Sequence, residues 1–357
     1  MTRRISILDS GLFSTGSHNF NYCLALCKEL RERACDVALF AFLHADPNVV
    51  AATGAIPHFT QLLWNRVDTG TPFDEELNWR VLNDIFEADL HALGGAITGA
   101  DRVLVIPNIL QHQIAGFARW YRALPDADKP SVLLNLMFYP RWTAWADQAV
   151  RGAEFYLRAV EDVRPWLGSR ITLCAENRDI AGYYTKLLGA PVDVTPIPTE
   201  PPARLRRPEG GPVRVGFLGY AKNEKGFFLL PEALRHAFRR RRDFRALVQI
   251  HHHSAEPETV AADHALSQMD GVDIVRGNVG TAFYQALFAS CDVMLLPYDP
   301  FHYSTRGSGV LSEAIAYAKP IVGTEHTWPA QAIRHDECAG IVCEFESRAL
   351  GKRCCRR

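Results

Sequence analysis

Short apolar segments alternate with amphipathic segments along almost the entire chain, and this alternation restricts the possible folds more than any other feature. Short apolar runs are typical of strands that are buried on both faces of a parallel sheet, and the longer amphipathic segments are typical of the helices that cover it. A proline-rich stretch, residues 195–202, interrupts the pattern, which then restarts. The sequence therefore predicts two doubly wound α/β domains that face each other across a cleft.

We predict a first domain over residues 1–197, a linker over 198–212 and a second domain over 213–346, and we expect residues 347–357 to be disordered. The strands predicted for the first domain are 5–8, 36–41, 102–106, 131–136 and 171–174. Its predicted helices are 18–31, 78–92, 111–122, 144–163 and 177–188. The strands predicted for the second domain are 213–218, 246–251, 272–275, 293–296 and 321–322. Its predicted helices are 225–240, 256–268, 282–289 and 309–318.

The bulk composition excludes several classes of protein. The formal net charge of −1 gives no electrostatic case for binding nucleic acid. No apolar run is long enough to span a bilayer, and residues 5–13 are better explained as a first strand than as a signal peptide. The nine cysteines are scattered without a framework spacing, which favours reduced thiols in the cytoplasm.

The most specific segment follows the predicted strand 293–296. A turn rich in glycine and serine, with Ser308, Gly309 and Val310, opens a helix that carries Glu313 about one turn in. The start of a helix offers unpaired N–H groups and the positive end of a dipole, and both suit a phosphate. A carboxylate on the same helix can accept hydrogen bonds from ribose hydroxyls. The segment therefore predicts half of a nucleotide-sugar site.

Three segments of the second domain resemble the GT-B glycosyltransferases, in particular the retaining glycogen-synthase and mannosyltransferase group (glycosyl transferases group 1, family 4-like). They are residues 217–226, 274–279 and 303–313. The resemblance implies two Rossmann-like domains. It also implies that Lys225, the lysine of the first segment, pairs with the donor diphosphate. In the second segment, it implies that Asn278 and Val279 contact the nucleotide base.

The third segment matches a variant of the group's motif with a tyrosine, an arginine and Ser-Gly before the helix, here Tyr303, Arg306, Ser308 and Gly309. Glu313 occupies the second position of the group's glutamate pair, and Thr305 stands at the first. The resemblance implies that Lys225, Arg306 and Glu313 form the catalytic set, with Tyr303, Ser308, Gly309 and Val310 binding the donor.

The loop after the first strand, with Gly11 and Gly16, lies where the group places a flexible glycine-rich loop near the donor phosphates and the acceptor. We expect this loop and domain closure to exclude water. The resemblance implies no cofactor other than the nucleoside-diphosphate sugar and no metal in the chemistry.

Two short runs of basic residues, one of histidines and one of arginines, could each form a binding site or have only a structural role. His251–His253 suggests a metal site, but adjacent strand residues point to opposite faces, so only two of the three histidines could share an ion, and we predict no metal. The run of four arginines at 239–242 is consistent with helix-dipole pairing and solvation, or with attraction to anionic lipid head groups.

The predicted function is therefore transfer of a hexosyl group from a nucleoside-diphosphate sugar to a hydroxyl of a glycan, a lipid-linked acceptor or a polysaccharide, with retention. The expected location is the cytoplasm, with possible peripheral contact at the inner face of the membrane. The alternatives are a nucleotide-sugar 2-epimerase and a non-catalytic or truncated binding relative, since helices that usually end such chains are not evident here.

Overall fold

The computed structural model describes residues 3–15, 17–68, 70, 72–140, 151–199, 211–241, 243–250, 254–277, 279–304 and 306–354. The chain divides into two compact units, Met1–Pro198 and Thr199–Arg357. Within these described ranges, none of the helices combines the length and apolar character that spanning a bilayer requires.

The first unit is built on a seven-stranded sheet in which the described strands pair in parallel, in the order β3-β2-β1-β4-β5-β6-β7. Its strands are β1 (Arg4–Asp9), β2 (Asp36–Phe42), β3 (Ile56–Phe59), β4 (Arg102–Ile106), β5 (Ser131–Asn135), β6 (Ile171–Ala175) and β7 (Val192–Val194). The strand order reverses direction between β1 and β4, which makes that position the switch point of the sheet.

The helices that alternate with these strands are α1 (His18–Glu32), α2 (Pro47–Thr53), α3 (Glu75–Leu93), α4 (Gln111–Ala123), α5 (Gly152–Val163) and α6 (Arg178–Leu188). Side-chain caps fix several of their starts. The Ser17 hydroxyl accepts a hydrogen bond from the amide of Phe20, and the Asn177 side chain accepts one from the amide of Ile180.

Both faces of the first sheet are buried, as the apolar strand pattern predicts. On β1, Ile5 and Ile7 pack with Cys23 and Cys27 of α1 in one apolar cluster. Leu8 points to the other face and belongs to the larger cluster, which contains the fully buried aromatic side chains of α4 and α5. The two cysteines are therefore core residues, in agreement with their helical spacing.

The second unit contains a six-stranded parallel sheet in the order β10-β9-β8-β11-β12-β13. Its described strands are β8 (Val213–Phe217), β9 (Phe244–Ile250), β10 (Val272–Arg276), β11 (Val293–Leu296), β12 (Ile321–Thr324) and β13 (Gly340–Cys343). Its described helices are α7 (Leu230–Arg240), α8 (Pro257–Ser267), α9 (Thr281–Ser290), α10 (Pro300–Tyr303), α11 (Gly309–Ala316), α12 (Trp328–Arg334) and α13 (Ser347–Cys354). The switch point lies between β8 and β11. Each unit is thus a Rossmann-like domain, as predicted.

The structure corrects two local predictions. The helix predicted from Lys225 begins only at Leu230, because two short 3-10 turns precede it. The tail predicted to be disordered forms α13 over its described part, and Leu350 and Cys354 are buried there. A Cβ on Gly351 would lie 2.6 Å from the carbonyl oxygen of Ala233, so the glycine allows α13 to pack closely on α7.

The sequence also did not predict several short elements, namely β3, β7, β13, α2, α10 and α12. The predicted helix 144–163 is seen from Gly152 onward, and its first part lies outside the described residues.

Candidate functional site

Two loops leave the carboxyl ends of β8 and β11, the neighbouring strands at the switch point of the second sheet, where ligands of doubly wound folds bind. The first loop runs through residues 218–226 and the second through 297–308. The backbone amide of Asp299 donates a hydrogen bond to the carbonyl oxygen of Glu224, with an N···O distance of 2.9 Å. The two loops are therefore held together by main-chain atoms.

Gly226 fixes the position of the first loop. It follows the short 3-10 turn Asn223–Lys225 and adopts a φ of +68°, in the left-handed region. A Cβ at this position would collide with the carbonyl oxygen of Pro297 at the start of the second loop. Only glycine satisfies both conditions, and its presence sets the side chain of Lys225 against the second loop.

Lys225 lies half-buried between two aromatic rings. Its Nζ is 5.6 Å from the ring centroid of Tyr220 and 6.0 Å from that of Tyr298. Burial lowers the pKa of Lys225 to about 8, and the adjacent carboxylate of Glu224 opposes that shift. The ammonium group is therefore a cation near neutral pH that has lost much of its hydration and gains most from an anionic ligand.

Arg306 extends from the second loop to the same place. Its Nη1 donates a hydrogen bond to Oε1 of Glu224 at 2.9 Å, and its guanidinium carbon lies 5.4 Å from the ring centroid of Tyr303. Burial raises the pKa of Tyr303 to about 12, and the Glu224 carboxylate adds to the rise. Lys222 completes the group, with its Nζ 3.8 Å from Oε1 of Glu224. We call Lys222, Lys225 and Arg306 the cationic cluster.

The cap residue of α11, Ser308, lies two residues after Arg306. Ser308 caps this helix, since its hydroxyl oxygen accepts a hydrogen bond from the amide of Leu311 at 3.2 Å. The hydroxyl of Tyr298 lies 3.0 Å from the same oxygen. Gly309 and Val310 are the first two helical residues, whose amides have no carbonyl partner within a helix. An anion here would meet N–H groups and the positive end of the helix dipole.

Glu313 lies one turn into α11 and is held by a residue from another element. The hydroxyl of Tyr284, on α9, donates a hydrogen bond to Oε2 of Glu313 at 2.6 Å. Burial raises the pKa of Tyr284, and the Glu313 carboxylate raises it further, so the phenol stays protonated and remains a donor. Val279 lies two residues before the start of α9.

The arrangement can bind an extended anion next to a hydroxyl-bearing group. The cationic cluster and the start of α11 supply positive charge and amide donors, and Glu313 supplies an acceptor one turn further along the helix. This is the chemistry that a nucleoside diphosphate needs from a protein.

The comparisons with known proteins agree with this description. Residues 212–356 match the family described as Glycosyl transferases group 1. The crystal structure of a glycosyltransferase from Rickettsia africae is similar over 99% of this chain and 87% of that one, with a TM-score of 0.62 and 10% identity. The structure of HepE from Anabaena in complex with UDP and glucose is similar over 99% and 88%, with a TM-score of 0.60 and 12% identity.

The fold is that of the GT-B glycosyltransferases. A putative UDP-N-acetylglucosamine 2-epimerase from Listeria monocytogenes is also similar, over 99% of this chain and 87% of that one, with a TM-score of 0.55 and 9% identity. No match was found among curated proteins.

In this GT-B chain the second unit brings together most of the residues that the sequence singled out there. Lys225, Arg306, Ser308 and Glu313 come from the loop after β8 and from the segment that opens α11. Two other candidates, Asn278 and Gly16, lie outside the described residues, as do Thr305 and the histidine run 251–253. Across the described ranges, no group of three histidine, cysteine, aspartate or glutamate side chains is placed to hold a metal ion.

Gly11 lies in the first unit, at the turn after β1. Its amide donates a hydrogen bond to Oδ1 of Asp9 at 2.9 Å, and the Asn19 side-chain nitrogen donates to the same buried carboxylate, also at 2.9 Å. A Cβ on Gly11 would lie 2.7 Å from that nitrogen. The glycine is thus needed to pack this turn, and its contact with a donor stays a prediction.

Sequence reasoning missed three residues of the candidate site. Glu224 lies within the segment 217–226, and Tyr298 follows the predicted strand 293–296, but no local pattern indicates that they contact Arg306 and Ser308. Tyr284 stands in an ordinary apolar helical pattern, and its contact with Glu313 joins residues that are far apart in the sequence. Only the packing of α9 beside α11 identifies it.

Proposed function

We propose that this GT-B protein transfers a hexosyl group, with retention, from a nucleoside-diphosphate sugar to a hydroxyl of a glycan, lipid-linked or polysaccharide acceptor. The observation that carries the proposal is the convergence of Lys225 and Arg306 at the start of α11, with Glu313 one turn further on. The family match of the second unit supports it. The presence of UDP and glucose in the Anabaena structure favours a nucleotide sugar as donor.

In this proposal the chain's residues stabilise the departing diphosphate. Negative charge grows on that group as the bond to the sugar breaks, and Lys225, Arg306 and the amides of Gly309 and Val310 would bind it. Charges that are fixed in place before the reaction often contribute the largest part of catalysis. These side chains would supply the neutralising charge without a bound metal. Glu313, oriented by Tyr284, would accept hydrogen bonds from the ribose hydroxyls.

We also propose contact with an anionic membrane surface. Arg239 and Arg240 lie at the end of α7, and α13 packs on that helix and adds Arg348 and Lys352. All four lower the pKa of His236, after the effect of burial, so they form one positive surface. Vesicles with phosphatidylglycerol should retain the protein at low salt, and R348E/K352E should release it. Equal retention by neutral vesicles would contradict this contact.

The free thiols seen along the described chain agree with a reducing compartment, and we propose the cytoplasm as the location.

The first test is a thermal-shift and calorimetric screen of the purified protein against UDP, GDP and ADP and their common sugars. One nucleotide should stabilise the protein by mass action, and Lys225→Ala and Glu313→Ala should both abolish the shift. Lys186→Ala, which changes an exposed lysine of α6, is the matched control and should bind as the wild type does. Absence of any shift in folded protein would overturn the proposed function.

The two alternative functions predict different results with the same purified protein. A binding relative would bind the nucleotide sugar without consuming it. A 2-epimerase would invert the configuration at C2 of the sugar in UDP-N-acetylglucosamine, without needing an acceptor. NMR of the sugar protons detects this change directly. Transfer to an added hydroxyl acceptor, with the anomeric configuration kept in the product, is the result that the transferase proposal requires.

A further inference from the structure

The carboxylate of Glu224 occupies the centre of the cationic cluster. Its Oε1 lies 2.9 Å from Nη1 of Arg306 and 3.8 Å from Nζ of Lys222. It also acts on Lys225, since it has the largest effect among those that oppose the lowering of that residue's pKa. The cations that would bind a diphosphate therefore already face an anion of the protein itself.

The ion pair between Glu224 and Arg306 is shielded but can be reached by a ligand. The side chains are 22% and 27% exposed, so the attraction is less screened than on an open surface and yet one side of the pair meets solvent. A carboxylate and a phosphate use the same N–H groups of a guanidinium, in the same geometry. A diphosphate that takes the N–H group which Arg306 donates to Glu224 must therefore displace the carboxylate, and one that takes the other N–H groups lies beside it.

The backbone of Glu224 cannot withdraw when this happens. Its carbonyl oxygen accepts the amide of Asp299, and the neighbouring Asn223 is held by Glu258 at 3.1 Å and by Thr259 at 2.8 Å. The ion pair must therefore be opened by rotation of a side chain, of Glu224 or of Arg306, and not by movement of this loop. The carboxylate would then remain close to the bound ligand and would still repel it.

We propose that Glu224 is an internal competitor of the diphosphate, which lowers the affinity of the site for the donor and for the nucleoside-diphosphate product. The inference rests on the proposed function for the identity of that ligand, but it applies to any diphosphate anion that binds the cationic cluster. Its consequence is faster release of a product that three cations would otherwise retain.

The test measures binding of inorganic pyrophosphate and of the nucleotide found in the first screen, by calorimetry, to the wild type and to Glu224→Gln. The glutamine keeps the shape of the side chain and removes its charge. Loss of an ion pair of this kind should tighten both ligands about fivefold. Glu258→Gln is the matched control, because it removes a carboxylate that contacts the same loop through Asn223, and it should leave both affinities unchanged.

A second variant separates competition from positioning. If Glu224 acts through Arg306, then Glu224→Gln should have a smaller effect in an Arg306→Gln background, with the same measurement. If Glu224 instead holds Arg306 in the orientation that binds phosphate, Glu224→Gln will weaken both ligands in the wild-type background. That result, or equal affinities, would overturn the proposal.

The two proposals fail in different ways. Tighter pyrophosphate without binding of any nucleotide would support the role of Glu224 and contradict the transferase. Nucleotide binding that Glu224→Gln leaves unchanged would support the transferase and contradict the role of Glu224. Absence of binding by pyrophosphate and by every nucleotide would contradict both.

Discussion

The loop after β1 and the loop after β8 occupy equivalent positions in the two units, each at the switch point of its own sheet, but they carry opposite charge. In the first unit the loop surrounds the buried carboxylate of Asp9, which accepts hydrogen bonds from Gly11, Asn19 and Cys23. In the second unit the loop carries Lys222 and Lys225. One topology can thus form a turn packed around a buried carboxylate or a site for an anion, depending on a few side chains.

The two loops use their polar groups for different purposes. Around Asp9 the donors come from the turn itself and from α1, so the interactions serve folding. Around Lys225 burial reduces hydration of the ammonium group, and the Glu224 carboxylate offsets only part of that loss. An unfavourable desolvation of this kind is expected at functional sites, where function can override local stability.

The largest effect should come from the glycines of the two loops. Gly226→Ala forces a positive φ on an alanine and a collision with the Pro297 carbonyl, so the second unit should lose about 4 kcal/mol of unfolding free energy. Gly11→Ala meets side-chain atoms of Asn19 and Leu63 and no backbone atom among its nearest contacts, so it should cost about 1 kcal/mol. Scanning calorimetry measures the loss of unfolding free energy in both variants. Equal losses would contradict the expected difference between the two loops.

A smaller effect should follow from removing the charge of one loop. Lys225→Met should weaken UDP about thirtyfold, because a charge-assisted contact to the diphosphate disappears. Asn19→Ala, which takes a donor from Asp9 in the other loop, should lower stability by about 2 kcal/mol and leave the affinity for UDP unchanged. An Asn19→Ala protein that keeps its fold but binds UDP as poorly as Lys225→Met would end the functional distinction between the loops.

The pH dependence of binding should reflect Lys225. Its pKa of about 8 means that the cation is present below that pH and is lost as the pH rises through it. The affinity for UDP should therefore fall about tenfold from about pH 7 to about pH 9. Lys225→Arg stays charged over this range and should flatten the profile, which calorimetry at several pH values records. A wild-type profile that is flat as well would exclude Lys225 as the titrating group.

The smallest effect should come from Tyr284→Phe. It removes the hydroxyl that orients Glu313 and should weaken UDP about fivefold. Pyrophosphate, which lacks a ribose, should bind as before. Tyr139→Phe in the first unit serves as the control. Equal weakening of UDP and pyrophosphate would assign Glu313 a role other than binding the ribose.

The alternation of strands and helices was predictable because buried parallel strands must be apolar and their covering helices amphipathic. The elements that were missed are too short or too polar to show a period. For example, Ile56–Phe59 contains a proline and a histidine, and Val192–Val194 has only three residues. Disorder was predicted for the tail because it shows no strand or helix pattern, whereas Gly351 and Leu350 pack α13 on the second unit.

For the site, local motifs predicted the residues that open α11 and the lysine after β8. They could not predict Glu224 or Tyr284 as members, because each acts through a partner distant in sequence, Arg306 and Glu313. Contacts of that kind are determined by which strands are neighbours in the sheet and by which helices pack together.

The main-chain hydrogen bond from Asp299 to Glu224 has a consequence for protein engineering. Since it joins the segments after β8 and β11, an insertion or a graft in one of them would displace the other. Exchange of donor preference with a relative should therefore succeed only when residues 218–226 and 297–308 are transplanted together, as a single cassette.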